Sequence, residues 1–417
     1  ITVNNGAVVK GDSGIEVRAG SLTVNGGTIT ATAESYSYTA NGSGTTTRGA
    51  AIAIAQHTTA LSVNATLNGG TLVGTEKIGV TDVNSNMSNV AVVATESFTQ
   101  NSSIPAGYKW VETETAGKYE LVAEPFAIHV HGASLVTEGK IIIRFGVTVP
   151  EGSNAEKITM SLNGRSRTVS VNSPDTVISG YGYAAFDFAV YANEMDGVVQ
   201  LTVEDAEGNA LKIQRNDLSV VDVYEYSVNT YIENQTNNQG AAQKLKNFVA
   251  VMKTYGEYSK YYFENRTAEI SLDDTTPEAP DDNILNDFIA EKHYDGGYSG
   301  PQYAGGSLAL VDGTSIMVYF TGDVEGCTFT CEGNELTPVK NGSYYYVLID
   351  NVAARNLDKM YTITVSDGYG NTHTVTYSAM TYVRTVLNSE TTSRSLKDVC
   401  IKLYDYAVAA NAFFGND

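Results

Sequence analysis

Cysteine, proline, tryptophan and basic residues are all scarce in this chain, and each shortage excludes something. Three cysteines occur among 417 residues. Cys327 and Cys331 sit four apart in a strand-like run, too far apart to bridge along an extended strand. Cys400 falls on the apolar stripe of a helix and reads as a small core residue. No disulfide framework therefore supports the fold. Eight prolines against 39 glycines leave the β-structure uninterrupted while supplying many corners. The 26 basic residues are outnumbered by 47 acidic ones, for a net charge of −21. Such a field repels phosphate backbones and anionic lipid, which argues against a nucleic-acid partner and against membrane attachment through this segment. Its plainest consequence is solubility. No apolar run approaches the length needed to span a bilayer. The first residue is Ile1 rather than an initiator methionine, so a processed or excised chain is expected.

What is abundant is tyrosine, with 27 residues against 12 phenylalanines. Together with frequent Val, Ile and Thr this favours β-rich structure. The chain is organised around one amphipathic stretch. In Gln243–Phe263 the residues Leu245, Phe248, Val249, Met252, Tyr255, Ser259, Tyr262 and Phe263 form a stripe at steps of three and four. The stripe recurs 151 residues later, without a gap, as Leu396, Val399, Cys400, Leu403, Tyr406, Ala410, Phe413 and Phe414. Upstream, Tyr226-Ser-x-x-Thr-Tyr231 pairs with Tyr377-Ser-x-x-Thr-Tyr382. Val203-Glu-Asp-Ala-Glu-Gly-Asn209 likewise pairs with Val365-Ser-Asp-Gly-Tyr-Gly-Asn371. The Asp-x-x-Gly-Asn element predicts a hairpin turn in which Asp bonds the backbone. Six or seven short strands precede each helix, with turns every ten or so residues. One unit, an immunoglobulin-like sandwich closed by a helical hairpin, is thus expected twice, at 126–263 and 304–417. Each helix is expected to pack on its own sandwich and on the short helical turn before it. An acidic linker at 264–303 separates the copies.

Residues 1–125 differ in kind. Ile1-Thr-Val-Asn-Asn-Gly, Leu22-Thr-Val-Asn-Gly-Gly and Leu67-Asn-Gly-Gly resemble one another, the first two 21 residues apart and the next 43 further on. An inserted loop at Glu34–Arg48 accounts for the longer step. Short strands with Asn-Gly corners at about 20 residues per turn fit coils of a parallel β-helix. Asn-Gly-Gly is also an ordinary hairpin turn, which keeps a β-sandwich open as the alternative. A hairpin built from Gly107–Thr113 and Gly117–Val122, anchored by Trp110, is expected to cap the coils.

These coils resemble the last turns of right-handed β-helices in bacterial surface proteins and pectate-lyase-like carbohydrate proteins. With the tandem units behind them, the chain resembles multidomain secreted or cell-surface proteins, adhesins among them, of Gram-positive gut bacteria. The resemblance is architectural and implies a mainly β protein with appended helices, outside the cell or attached to its wall, with further coils before residue 1. It transfers no site residue.

Chemistry-bearing patterns are few. No Gly-x-Ser-x-Gly, Walker-type loop or Cys/His dyad occurs, so no catalytic residue is expected. His129-x-His131 puts two imidazoles on one strand face, half of a metal site at most. His57, His293 and His373 stand alone. Asp205, Glu207, Asp367 and the run Asp273, Asp274, Asp281, Asp282 offer oxygen ligands for a structural Ca²⁺. None has EF-hand spacing, and turn formation is the simpler reading. No cofactor is expected. Tyrosines are the better candidates for ligand contact: Tyr36 and Tyr38 in the inserted loop, Tyr181 and Tyr183, and Tyr344 and Tyr346, with Tyr294, Tyr298 and Tyr303 in the linker. Exposed tyrosine faces stack on sugar rings or protein partners. The functional expectation is a monomeric, non-catalytic surface protein, an adhesin or stalk that contacts a host or dietary glycan or a surface protein. The alternatives are a carbohydrate-binding module of a glycan-degrading system and the C-terminal part of a β-helix polysaccharide lyase or hydrolase.

Overall fold

The structure is a computed structural model that describes residues 1–41, 44–56, 61–82, 90–99, 107–264, 277–310 and 313–415. His57, Asp273 and Asp274 lie outside the described residues. The chain is mainly β, in many sheets of which none is closed among the described residues, and it divides into two compact units.

The first unit comprises residues 1–129 with 149–154 and 210–222. Its strands form three parallel ladders. One joins Thr2–Val3, Gly20–Val24, Val63–Leu67 and Val90–Thr95, and the second joins Val8–Gly11, Thr28–Ala31 and Thr71–Val73. The third joins Ile15–Val17, Ala50–Gln56 and Glu76–Asp82. The register pairs Thr2 with Thr23 and Val24 with Leu67, the steps of 21 and 43 residues that the Asn-Gly segments carry. Val3, Val24, Leu67 and Val92 alternate inward onto a core shared with Ile29, Ile52, Ile54 and Ile78. At one corner the asparagines stack. Asn25 Nδ2 donates to Asn4 Oδ1 at 3.0 Å, Asn68 Nδ2 to Asn25 Oδ1 at 2.9 Å, and Lys118 Nζ caps the row on Asn68 Oδ1 at 3.1 Å. The following Gly27 sits at φ +84°, and a Cβ there would meet the Ala7 carbonyl oxygen at 2.6 Å, so the corner requires glycine.

The inserted loop leaves the ladders as an antiparallel hairpin, Ser37–Asn41 with Gly44–Arg48. Glu16 fastens it, accepting from the Thr47 amide at 2.8 Å and the Thr47 hydroxyl at 2.7 Å while pairing with Arg18. A one-turn helix α1 (Glu96–Thr99) buries Phe98 at the ladder's end. The antiparallel strands Tyr108–Glu112 and Lys118–Ala123 close the first ladder on Val90–Thr95, and Trp110 packs half-buried against the core.

In the second unit the repeat is visible element by element. The first copy has one sheet running Thr176–Ile178, Tyr183–Val190, Ile141–Thr148 and Ile128–Val136, and another running Arg165–Ser170, Lys157–Leu162 and Val198–Glu204 with Tyr224–Ser227 beside it. The second copy has Gln302–Ala309, Ser315–Thr321, Tyr344–Ile349 and Val339–Asn341 in one sheet. Its other sheet runs Asn334–Leu336, Thr328–Cys331, Tyr361–Ser366, Thr372–Tyr377 and Lys292–Tyr294. Phe145, Phe186, Ile158 and Leu201 fill the first core, and Phe320, Phe329, Val347 and Ile363 the second. Within the stretch read as a linker, α4 (Asp282–Leu285) forms one turn and Lys292–Tyr294 is a strand on the edge of the second copy's sheet.

The paired Tyr-Ser-x-x-Thr-Tyr motifs are helix starts. Ser227 caps α2 (Val228–Asn237), its Oγ accepting from the Thr230 amide at 3.0 Å, and Ser378 caps α5 (Ala379–Leu387) on the Thr381 amide at 3.0 Å. The long stripes are α3 (Gln243–Phe263) and α6 (Arg394–Phe414), each 21 residues. Each packs on its own short helix and on the 3-10 turn of its own copy, Ala192–Glu194 or Ala354–Asn356. They also pack on each other, which the expectation of a separate hairpin for each sandwich did not include. Tyr255 and Tyr406 occupy equivalent positions in the repeat and stack at 5.3 Å with planes 10° apart. Phe248 lies against Tyr406, Phe413 and Phe414 at 5.3–5.6 Å. Each aromatic stripe thus completes the burial of the other.

Candidate functional site

Two of the candidate tyrosines meet one of the candidate histidines on the outer face of the first copy's sheet Thr176–Ile178, Tyr183–Val190, Ile141–Thr148 and Ile128–Val136. The strand Tyr183–Val190 is entered through a turn in which the Tyr181 and Gly182 amides both bond the Ile178 carbonyl, at 3.3 and 3.1 Å. Gly180 and Gly182 flank Tyr181 at φ +85° and +71°, backbone that lifts its ring clear of the sheet. Tyr181 is 71% exposed. Its ring lies 5.5 Å from that of Tyr183 with planes 22° apart, and Tyr183 in turn lies 3.6 Å from His131 with planes 5° apart. His131 Nε2 is 2.8 Å from Thr148 Oγ1. Burial lowers the pKa of His131 from its ordinary value, which keeps the ring neutral near pH 7.

Beside this column of rings is an open concavity of about 250 Å³, lined by His131, Gly132, Ser134, Arg144, Gly146, Ile178, Tyr181 and Tyr183 among others. Two glycines make its floor. Gly132 has φ +141°, and a Cβ on Gly146 would come within 3.0 Å of Ile178 and 3.6 Å of Tyr183. Any larger residue at 146 would fill the space at the foot of the Tyr183 ring. Arg144 closes one side. Its Nε and Nη2 donate to the two carboxylate oxygens of Asp187, each at 2.7 Å, and these bonds raise its pKa above the ordinary value. Behind Asp187, Arg167 holds Asp175 through bonds of 2.7 and 2.6 Å and also donates to the Asp187 carbonyl. Asp175 accepts from the Asp187 amide at 2.9 Å.

The second copy places different groups on the matching face. Register and the buried phenylalanines align the two: Arg144 faces Asp187 beside Phe145 and Phe186, and Tyr319 faces Tyr346 beside Phe320 and Tyr345. The Tyr319 ring meets Tyr346 at 51° and Tyr344 at 84°, and no plane is shared. Tyr319 Oη accepts from Ser307 at 3.2 Å and reaches Met317 Sδ at 3.7 Å. Tyr344 and Tyr346 therefore belong to an edge-to-face packing cluster rather than a flat platform.

The remaining candidates are not assembled into a site. Tyr36 lies over Gly79, its ring filling the space a Cβ would need, and Tyr38 projects exposed from the first unit's hairpin. Tyr294 and Tyr298 pack on the buried His373 at 3.9 and 5.5 Å. Among the described residues no group of three or more His, Cys, Asp or Glu could hold a metal ion, and His129 and His131 have no third ligand beside them. Asp205 accepts from the Glu207 and Asn209 amides at 3.1 and 2.8 Å, and Asp367 from the Tyr369 and Asn371 amides at 2.9 and 3.0 Å. These are the turn bonds expected of Asp-x-x-Gly-Asn. Asp281 caps α4 on the Asn283 amide at 2.8 Å.

Arg144, Asp187 and the two floor glycines were not singled out from the sequence. Their signals were present: a glycine interrupting the strand His-Val-His-Gly132-Ala-Ser, and an arginine interrupting Ile-Ile-Ile-Arg144-Phe-Gly146. Glycine inside a strand marks a bulge or a place where another group approaches the backbone.

No protein-family model matches the chain, and no curated protein matches it. Among solved structures, the cell-surface multi-modular chitinase ChiW from Paenibacillus sp. str. FPU-7 is 14% identical over 54% of this chain, at a TM-score of 0.17. The matched part spans 16% of ChiW. A chimeric titin Z1Z2-Z1Z2 tandem is 9% identical over 64% of this chain at a TM-score of 0.13, and titin A168169 is 11% identical over 61% at 0.14. Scores this low fix neither fold nor function.

Proposed function

We propose that this chain is a non-catalytic, extracellular scaffold whose first tandem unit holds a saccharide on the groove of His131, Tyr181 and Tyr183. In this reading the three parallel ladders of the first unit are the end of a right-handed parallel β-helix. The two copies of the second unit are immunoglobulin-like sandwiches locked together through α3 and α6, which makes a stiff spacer. The whole resembles the adhesins and stalks of Gram-positive surface proteins.

The observation that carries the reading is the near-parallel ring column His131–Tyr183–Tyr181, with its exposed end on Tyr181 and an Arg144–Asp187 pair alongside. A sugar ring has an apolar face that stacks on an aromatic ring and a polar rim that needs paired donors and acceptors. Tyr181 supplies the stacking face, and Arg144 at the side of the concavity, with Asp187 bound to it, supplies the donors and acceptors. Glycan-array binding followed by isothermal titration tests the proposal: the intact chain should bind a subset of glycans, and Tyr181→Ala should weaken that binding about tenfold while leaving the fold intact. Absence of binding to every glycan would overturn the saccharide reading and leave the spacer alone.

A further inference from the structure

We infer that the groove on the first sandwich selects a single uncharged sugar ring and turns acidic sugars away, an inference that rests on the saccharide reading above. Three features of the site carry it.

The first is charge. Arg144 is the one charged side chain among the groove-lining residues, and two of its N–H groups are already spent on Asp187. A uronate or sialate carboxylate approaching Arg144 would have to displace the Asp187 carboxylate. It would do so against the nearby charges of Asp175 and Glu138, both of which act on Arg144. Arg167 cannot come forward in compensation, because it is held by both oxygens of Asp175 and by the Asp187 carbonyl. The network of two guanidinium and two carboxylate groups is balanced within itself, and Glu138 tips the surroundings negative. The chain as a whole carries −21, so the longer-range field repels anions too.

The second is the match to hydroxyl groups. A hydroxyl both donates and accepts. Placed at the rim of the Arg144–Asp187 pair, it can donate to a carboxylate oxygen of Asp187 and accept from a remaining N–H of Arg144 without displacing either. Two adjacent hydroxyls can do both at once. The histidine at the other end of the column bonds Thr148 and packs flat on Tyr183, and its burial there holds the ring neutral near pH 7, so it adds no positive charge that would recruit an acid.

The third is size. The concavity of about 250 Å³ is smaller than the roughly 300–1,000 Å³ of pockets for drug-sized ligands. One face of one ring, Tyr181, stands out to solvent, while Tyr183 is covered by its neighbours. The aromatic column therefore offers one stacking place, and the ligand engages it with one ring, at a chain end or branch.

The inference is tested on the intact chain by isothermal titration with methyl glycosides of uncharged hexoses and pentoses, with methyl uronates and sialate, and with neutral oligosaccharides of increasing length. Expected are binding of one or more uncharged glycosides, none of the acids, and an affinity per chain end that stays level with length. Asp187→Asn should admit acidic glycosides by freeing Arg144, and Tyr181→Ala should weaken every ligand about tenfold. Acidic sugars bound by the intact chain as tightly as neutral ones, or an affinity that climbs steeply with chain length, would overturn the selectivity inferred here and leave the saccharide reading standing. No binding to any sugar would overturn both.

Discussion

The two tandem copies agree where they face each other and differ where they face outward. On the shared side the correspondences are at the level of single bonds. Tyr255 stacks on its own equivalent, Tyr406. Lys260 of α3 pairs with Asp196, and Asn411 of α6 donates to Asp358 at 2.7 Å, the matching aspartate. Ser227 and Ser378 cap matching helices. On the outer face the register is kept, but Arg144 and Asp187 in one copy stand where Tyr319 and Tyr346 stand in the other. One face carries stacked rings beside a charged pair; the other carries rings tilted or edge to face around Tyr319, whose hydroxyl is engaged by Ser307 and Met317. A duplicated unit is held to one solution at the seam, because each half is the other's packing partner. Its outer face is free to diverge, and that is where a ligand-specific surface is to be sought.

The largest effect is expected at the seam. Tyr255 and Tyr406 are 3% and 5% exposed. Removing either ring should destabilise the second unit by about 3 kcal/mol or more, the usual cost of truncating a large buried aromatic. Because the two rings contact each other, Tyr255→Ala and Tyr406→Ala together should cost less than the sum of the single changes. Denaturant unfolding of the three variants measures this. Single substitutions that differ widely in cost, or that add fully, would break the equivalence of the two helices.

A smaller effect should separate the outer faces. Tyr181→Ala should cost the groove about 1 kcal/mol of binding free energy, in line with the stacking of one aromatic ring. Tyr344→Ala and Tyr346→Ala should leave glycan affinity unchanged and lower stability slightly. If the second copy's tyrosines prove equally necessary for binding, coplanarity is not the discriminating feature. The caps sharpen the comparison at a similar scale. Ser227→Ala and Ser378→Ala should each cost about 1 kcal/mol. The Ser378 change should be the larger, because Ser378 is 0% exposed and Ser227 6%, so the Thr381 amide it leaves unpaired has less access to water. Thermal unfolding of the pair gives the order directly.

Much of this organisation was readable from the sequence, because periodicity and turn chemistry are local. The 3.6-residue stripe gave both long helices at their ends, and the Asn-Gly spacing of 21 and 43 residues gave the register of the parallel ladders. Asp205 and Asp367 followed from the turn rule. What was not readable is long-range. Nothing in the stripe says that Tyr255 meets Tyr406 rather than its own sandwich. Tyr181 and Tyr183 were legible as candidates, yet their partner His131 lies some fifty residues away, and only strand order brings it under Tyr183. The Tyr344–Tyr346 run looked like the same kind of surface, because ring orientation depends on cross-strand neighbours that spacing does not encode.

The smallest effect compares two histidines, one in each copy. His373 is fully buried, stacked 3.9 Å from Tyr294 with Tyr298 and Phe320 at its edges, whereas His131 is half-buried and bonded to Thr148. Burial lowers the pKa of both. For His373 the Pro301 carbonyl offsets this in part, and Lys292 adds to it. A lowered histidine pKa means that the unfolded chain takes up a proton the folded chain refuses. The stabilisation is therefore complete above about pH 6.5, the ordinary imidazole value, and is lost as the pH falls through that value toward the folded one. Asp205 and Asp295, whose pKa values are lowered by hydrogen bonds to amides and side chains, and Asp367, where burial pushes the pKa up but the hydrogen bonds together outweigh it, lose their contributions in the same direction but only below about pH 4. Between those limits the histidines dominate, and His373, the more buried, should dominate them. Amide protection factors, taken relative to the intrinsic exchange rate at each pH, should fall in Lys292–Tyr294 and Thr372–Tyr377 on acidification from pH 7 to 5 before they fall in Ile141–Thr148. His373→Leu, which installs the residue found at the matching position 211 of the first copy, should remove the difference. Earlier loss of protection around His131 would mean that burial is not what sets the acid sensitivity of the two copies apart.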